Sequence, residues 1–281
     1  LPHRARRCPP TPLFRAQTFA WWPGASDEFA FGLAHYFSYA TPSQPQTVTD
    51  MEGHAFKPSR GKPYDAGLKY KPSGFDGLFT ASAFHIDQTN VLTSDPQNPG
   101  YSIQTGQMTS QGFEVSAQAN VTKNLRFLAS YTYDDVRYSK STDTTVPYYY
   151  DPTSNQAGYH MYAGAAVPLQ GKYANAVPRN MTSMFINYAL PEGRLRGLEL
   201  NFGTRYVGWT YGNMANSFKV PAFILFDTGA RYDFGKASPV LKGLVGQVTI
   251  SNLSNAYYVT SCGTAHFYIG QGRRVYGNLT Y

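Results

Sequence analysis

Apolar and polar residues alternate along most of this chain, and the period is two. In residues 113–121 the odd positions are Phe113, Val115, Ala117, Ala119 and Val121, while the even ones are Glu114, Ser116, Gln118 and Asn120. After Thr122-Lys123-Asn124, which reads as a turn, the pattern resumes. Leu125, Phe127, Ala129, Tyr131 and Tyr133 alternate with Arg126, Leu128, Ser130, Thr132 and Asp134, with Leu128 the one exception. Leu198, Leu200, Phe202 and Tyr206 repeat it against Glu199, Asn201, Gly203 and Arg205, as do Tyr64, Ala66, Leu68 and Tyr70 against Asp65, Gly67 and Lys69. Successive side chains of a strand point to opposite faces, so each segment predicts a strand with one apolar and one polar face. Ten strands are expected, near 29–41, 62–71, 77–92, 108–121, 125–138, 180–190, 197–211, 219–234, 244–259 and 272–281. The segment 77–92 is the least regular: Phe79, Ala81 and Ala83 share one face, but Phe84 and Ile86 lie on the other.

The connections alternate in length. Short ones fall at 72–76, 122–124, 191–196 and 235–243, and long ones at about 42–61, 93–107, 139–179, 212–218 and 260–271. Short turns on one side and long loops on the other describe an antiparallel transmembrane β-barrel, apolar face to lipid and polar face to the lumen. Such a barrel pairs every backbone amide across strands, which a hydrocarbon environment demands. Soluble sandwiches alternate too, but bury large aliphatics between sheets. Here the apolar face mixes in Ala117, Ala119, Ala129 and Gly277. Tyr70, Tyr133, Tyr188, Tyr232 and Tyr281 fall near strand ends, as an aromatic girdle requires.

Composition narrows the classes further. Charged residues are 15% of the 281, against about 25% in ordinary soluble domains, and aromatics are 16%. Apolar runs fall far short of the roughly 20 residues of a membrane-spanning helix. Disorder is excluded by the wealth of bulky side chains. The net charge of +7 comes from scattered basic residues with no basic arm, so no nucleic-acid partner is read. Cys8 and Cys262 are too few for a disulfide framework, and His3, His35, His54, His85, His160 and His266 show no metal-ligand spacing. Neither a phosphate-binding glycine loop nor a Gly-x-Ser-x-Gly elbow occurs. Residues 1–28 lack the period and are expected to be an irregular head, foreign or disordered. The basic His3–Arg7 stretch is not followed by the apolar core of a secretion signal.

Several segments in order resemble the C-terminal barrel portion of TonB-dependent siderophore receptors of the ferrichrome and hydroxamate type. They are Gly32 to Ala40, Phe56-Lys57-Pro58 with Gly61-Lys62 and Tyr64 to Tyr70, and Val177-Pro178-Arg179-Asn180. Further on come Gly203-Thr204-Arg205-Tyr206-Val207-Gly208, Val220-Pro221 through Leu225-Phe226-Asp227, and Arg231-Tyr232-Asp233. Val248 to Leu253, Tyr257-Tyr258-Val259, Gly270, Arg273-Arg274-Val275 and the terminal Tyr281 complete the set, which spans 29–281. Three departures accompany it. A plug domain and TonB-contacting segment are not found. Ten strands are read where the family closes 22. Cys262 lacks the cysteine partner often found in the last extracellular loop, where Phe267 or Tyr268 stands instead. The first two lead to the expectation of a truncated chain, the last ten strands of a receptor, unable to transport alone.

The resemblance implies a bacterial outer-membrane receptor for a ferric siderophore, energised through the TonB complex by way of a missing N-terminal part, with no enzymatic chemistry. No cofactor is implied, since iron arrives already coordinated. Recognition then needs aromatic and polar surface. The candidate ligand-binding residues are Trp209 and Tyr211 at the top of one ascending strand, Tyr258 at the top of another, and Phe267 and Tyr268 in the last loop. Tyr148-Tyr149-Tyr150, Tyr159 and Tyr162 enrich the longest loop and read as loop packing. Lumen-facing Glu114, Arg126, Asp134, Glu199, Arg205, Asp227 and Arg231 are expected to pair across strands. Rival readings are a ten-stranded outer-membrane protease using Asp134-Asp135 with His85 or His160, a passive porin, and a soluble carbohydrate-binding sandwich.

Overall fold

The computed structural model describes residues 23–281 except 30, 96, 97, 99, 151–160, 194 and 263–266. Most of the irregular head, with His3 and Cys8, therefore lies outside the described residues, as do Tyr159, His160 and His266. One sheet dominates. We number its main strands β1 Gly24–Glu28, β2 Leu33–Tyr39, β3 Ser59–Tyr70, β4 Gly77–Ser94, β5 Ser102–Thr122, β6 Leu125–Lys140, β7 Asn180–Ala189, β8 Leu198–Val207, β9 Phe223–Asp233, β10 Val245–Ser251 and β11 Arg274–Thr280. They follow one another antiparallel in chain order, and Ser43–Gln44 pairs beside β3 as a twelfth member. All ten expected strands are present. The eleventh, β1, lies in the segment read as irregular. Its sequence, Gly-Ala-Ser-Asp-Glu, has no apolar alternation because an edge strand exposed along its whole length has no face to bury.

Backbone register turns the sequence period into two surfaces. On one face the row Leu68, Ala81, Val115, Tyr131, Thr182, Tyr206 and Ile224 crosses seven strands. A parallel row runs Leu125, Tyr188, Leu200, Ala230, Val248 and Gly277. On the other face lie Ser116, Ser130, Ser183 and Arg205. Among the described residues no second layer covers the apolar face. Only seven apolar residues are buried among the described ones, and Leu68, Phe113, Leu200, Val248 and Leu279 are exposed. Such a face is stable only against hydrocarbon, and the soluble-sandwich reading falls with that observation.

Where the pattern was irregular, the reason is local. Phe84 sits opposite Gly112 across β4 and β5, and a Cβ on Gly112 would stand 2.9 Å from the Phe84 ring and 1.8 Å from the Tyr133 carbonyl oxygen. The ring thus occupies the room that glycine leaves on the polar face. Tyr36 covers Gly67 in the same way. Leu128, the other exception, lies opposite Phe185 on the inner wall. Beyond Asp87, β4 and β5 continue to Ser94 and from Ser102, with register shifts between Thr89 and Thr93, so the long loop expected at 93–107 is only 95–101.

The turns on the opposite side are built from local hydrogen bonds. Thr122 Oγ1 accepts the N–H groups of Asn124 (3.2 Å) and Leu125 (3.1 Å), closing the two-residue turn between β5 and β6. Asp233 caps the short helix Phe234–Ala237 through the N–H of Gly235 at 3.0 Å. The long connections 40–58, 141–179, 208–222 and 252–273 all emerge at the other end.

Two predictions follow the geometry. Val115→Arg, on the apolar face, is expected to destabilise the lipid-reconstituted chain by about 2–4 kcal/mol, while the adjacent Ser116→Arg on the polar face costs little; urea unfolding of the two variants in vesicles measures the difference. The sheet also leaves β1 and β11 each with one unpaired side among the described residues, and open edges recruit further strands. The refolded chain in detergent should therefore self-associate, and sedimentation as a monodisperse monomer would contradict this.

Candidate functional site

Three groups of side chains stand at the end of the sheet where the long connections emerge. The first begins on β6. Asp135 lies two register rows beyond Tyr133, and its carboxylate is almost wholly enclosed. It accepts two bonds from Arg137, Nε at 2.6 Å and Nη2 at 3.1 Å, and one from Arg179 Nη2 at 3.0 Å. Arg179 also donates to the Tyr133 hydroxyl at 2.7 Å, and Arg137 donates to the hydroxyl of Tyr173. Both guanidinium groups lie over the Tyr173 ring, at 4.0 and 4.7 Å. A carboxylate shared by two guanidinium groups with aromatic faces against them is a charge-assisted, low-entropy clamp.

Tyr173 carries the clamp into the neighbouring loop. Its ring stacks on Tyr211 (5.5 Å), which meets Trp209 edge-on (5.2 Å), and Lys219 Nζ rests 3.9 Å above the Trp209 ring. Thr210–Tyr211 pairs with Lys219–Val220 as a separate ribbon. The single strands expected to run through 197–211 and 219–234 are thus interrupted: β8 stops at Val207 and β9 begins at Phe223. Side chains tie the two loops together. Asn216 accepts the Tyr173 N–H (2.8 Å) and donates to its carbonyl (3.0 Å), and Ser217 Oγ donates to the Tyr148 carbonyl (2.7 Å).

The second group is Tyr258 with Phe223, rings 4.4 Å apart; the Tyr258 ring lies directly over Gly270, where a Cβ would meet it at 2.0 Å. The third is the hairpin Val259–Cys262 with Phe267–Ile269. Phe267 stands opposite Cys262 and Tyr268 opposite Ser261, so the position facing the buried cysteine does hold an aromatic. Burial pushes the Cys262 thiol above its usual pKa. Phe267 and Tyr268 are 57% and 59% exposed, the most open of the five candidate aromatics. The structure therefore joins Trp209 to Tyr211, seats Tyr258 on Phe223, and leaves Phe267 and Tyr268 as exposed faces.

Tyr173, Lys219, Arg137, Arg179 and Phe223 are the members that the sequence reading did not place in a site. Tyr173, Arg179 and Phe223 arrive from distant parts of the chain, while Arg137 and Lys219 reach their partners locally, along β6 and across the ribbon. Below them, the inner wall bears the expected cross-strand pairs Arg205–Asp227 (2.9 Å) and Arg231–Glu199 (3.1 Å). Glu114 and Asp134 take hydroxyls instead, from Thr132 (3.4 Å) and Ser110 (2.7 Å), and Arg126 lies opposite Asn120 and Asn187. Among the described residues, which leave out His160, the rival protease constellation is not assembled. Asp134 and Asp135 are adjacent residues of one strand engaged with different partners, and His85 approaches Asp87 at 3.3 Å. Asp50, Glu52 and His54 bring three ligand-type atoms within 4.8 Å on an exposed turn. That turn is closed by its own hydrogen bonds, with Asp50 Oδ1 accepting the N–H groups of Glu52 and His54.

Comparison with known proteins agrees with this architecture. Residues 14–256 match the family model described as TonB dependent receptor-like, beta-barrel. The chain is 32% identical over 255 residues to the Ferrioxamine B receptor of Salmonella typhimurium, covering 90% of this chain and 32% of the relative. It is 31% identical over 264 residues to the Ferrichrome outer membrane transporter/phage receptor of Escherichia coli K12, covering 94% and 32%. The fold is that of the siderophore receptor PiuA from Acinetobacter baumannii, with a TM-score of 0.74 at 21% identity over 93% of this chain and 35% of that one. The chain thus spans about a third of the length of the curated relatives it matches. That family comprises receptors and transporters of the bacterial outer membrane, not enzymes. A lipid-facing meander, a polar inner wall with paired charges and a match over most of its length place this chain in the TonB-dependent receptor family, within its outer-membrane β-barrel.

Proposed function

We propose that this chain forms part of the wall and mouth of a receptor that takes up a ferric siderophore of the hydroxamate class. The observation that carries the reading is the shared identity, above 30%, with receptors named for ferrioxamine B and ferrichrome across nine-tenths of the chain. Aromatic residues at the mouth, Trp209, Tyr211, Tyr258, Phe267 and Tyr268, support it. A siderophore already fills the coordination sphere of its iron, so the iron travels as cargo and the receptor has no need of metal ligands. Affinity then comes from flat aromatic area and hydrogen-bonding hydroxyls against the outer surface of the chelate. In this reading, energy from the TonB complex enters through the plug and TonB-contacting segment of a complete receptor, in the two thirds of its length that this chain does not span.

The two mouth clusters divide the labour. Trp209 and Tyr211 are immobilised by Lys219, Tyr173 and the Asp135 clamp, so they offer a rigid wall at low entropic cost. Phe267 and Tyr268 are exposed and supply the face that closes on the ligand. Ferrioxamine B and ferrichrome are expected to quench the intrinsic fluorescence of the refolded chain in detergent with saturable binding. Trp209→Ala, and Phe267→Ala with Tyr268→Ala, should each weaken the affinity about tenfold, the effect of one lost aromatic contact. Val240→Ala, on the opposite side of the sheet, should change nothing. Absence of saturable binding, or equal affinity in all variants, would overturn the reading. Vesicles containing the chain alone should accumulate no radioiron-labelled chelate above protein-free controls.

A further inference from the structure

The wall of the barrel breaks between β10 and β11. Backbone pairing ends at Ser251 and Arg274 and resumes only in the hairpin Val259–Cys262 with Phe267–Ile269, apart from the Gly270 N–H that donates to the Tyr258 carbonyl at 2.8 Å. Across the break one side chain takes over the role of the strand ladder. Asn252 is only 3% exposed and holds a left-handed backbone, φ 52°. Its Oδ1 accepts the Ala256 N–H at 2.8 Å, and its Nδ2 donates to the Ala256 carbonyl at 2.9 Å and to the Gln271 carbonyl at 3.1 Å. Those last two oxygens belong to opposite arms of the excursion, so the amide spans it as a rung.

The rung is itself anchored to the wall. The Asn252 N–H donates to Asp227 Oδ1 at 2.9 Å, and the other oxygen of that carboxylate accepts Arg205 at 2.9 Å. The Leu253 N–H donates to the Phe226 carbonyl at 2.7 Å. Asn255, also left-handed at φ 53°, adds a second cross-link by accepting the Arg273 N–H at 2.8 Å. Everything above this stitch carries candidate ligand surface: Tyr258 seated on Phe223, then Phe267 and Tyr268.

We propose that Asn252 is the positioning residue of the ligand site, setting the height and pitch of the aromatic hairpin against the barrel wall through Asp227 below and Gln271 across. It touches no ligand and acts through the hairpin. The inference rests on the hydroxamate-chelate reading for its functional half, while its structural half is independent of any ligand. A buried amide that serves three backbone groups cannot be replaced by an apolar group without orphaning them. Glycine isolates this effect, because it adopts the left-handed conformation freely and removes only the side chain.

The test compares wild type, Asn252→Gly and Asn252→Asp, refolded in detergent, with two readouts. In amide hydrogen exchange, Asn252→Gly should lower protection at Gly270 and Ile269 about tenfold or more, leaving β5 to β8 unchanged. In fluorescence quenching, the same variant should weaken ferrioxamine B or ferrichrome binding about tenfold while the far-UV spectrum and thermal midpoint of the sheet stay at wild-type values. Asn252→Asp keeps the acceptor for Ala256 but loses the donor to Gln271 and brings a second carboxylate towards Asp227, so it should fall at least as far. Unchanged exchange at Gly270 in Asn252→Gly overturns the inference whether or not any chelate binds. Altered exchange with unchanged affinity in a wild type that binds also overturns it, leaving a structural stitch only. Failure of the wild type to bind either chelate sinks the ligand reading instead, and is recognised because the exchange result is obtained without ligand.

Discussion

The structure depends on a single constraint: backbone polar groups must be satisfied in a sheet that has no second layer to hide behind. Eleven strands in succession pair their amides sideways, and the apolar face is left for hydrocarbon rather than for a core. In water this arrangement would expose a continuous greasy surface; in a bilayer it removes that surface from water and keeps every ladder bond in a medium where it is strong. The scarcity of buried apolar residues, which would condemn a globular protein, is here the expected consequence. Polar chemistry is correspondingly confined to the inner wall and to the end beyond the apolar rows.

That division explains how the mouth is ordered. Loops leaving a barrel have no core to pack on, so rigidity has to come from concentrated polar and aromatic contacts. Asp135 with Arg137, Arg179 and Tyr173 does this for the loop after β6, and Asn216 and Ser217 join that loop to the one after β8. Aromatic faces stacked between cations add area without adding freedom. The mouth is thus stiff beside Trp209 and Tyr211 and open at Phe267 and Tyr268.

Much of this was legible in the sequence, because a period of two is dictated by the strand itself. Rows such as Leu68, Ala81, Val115 and Tyr131 required only counting. The strand β1 escaped, since an edge exposed on both faces imposes no alternation. The reach of β4 to Ser94 and of β5 back to Ser102 escaped for a related reason: past the hydrocarbon neither face need be apolar, and Thr93, Gln104, Thr105 and Gln107 read like loop. Phe84 looked like a flaw until Gly112 supplied its partner. Of the site, the candidate aromatics could be guessed from their place at strand tops, but Tyr173, Lys219 and Arg179 could not. Tyr173 and Arg179 meet their partners across dozens of residues of sequence, and Lys219 reaches Trp209 across a ribbon that no apolar alternation marks.

The extension of β4, β5 and β6 has a further consequence. From Phe113, the last apolar residue of β5 on the lipid side, the strand runs eleven residues further back to Ser102, and with ordinary rise and tilt this lifts its tip roughly 25 Å above the hydrocarbon boundary. The hairpin is a gantry. It carries the loops it supports past a headgroup region only about 5–8 Å deep and out into water.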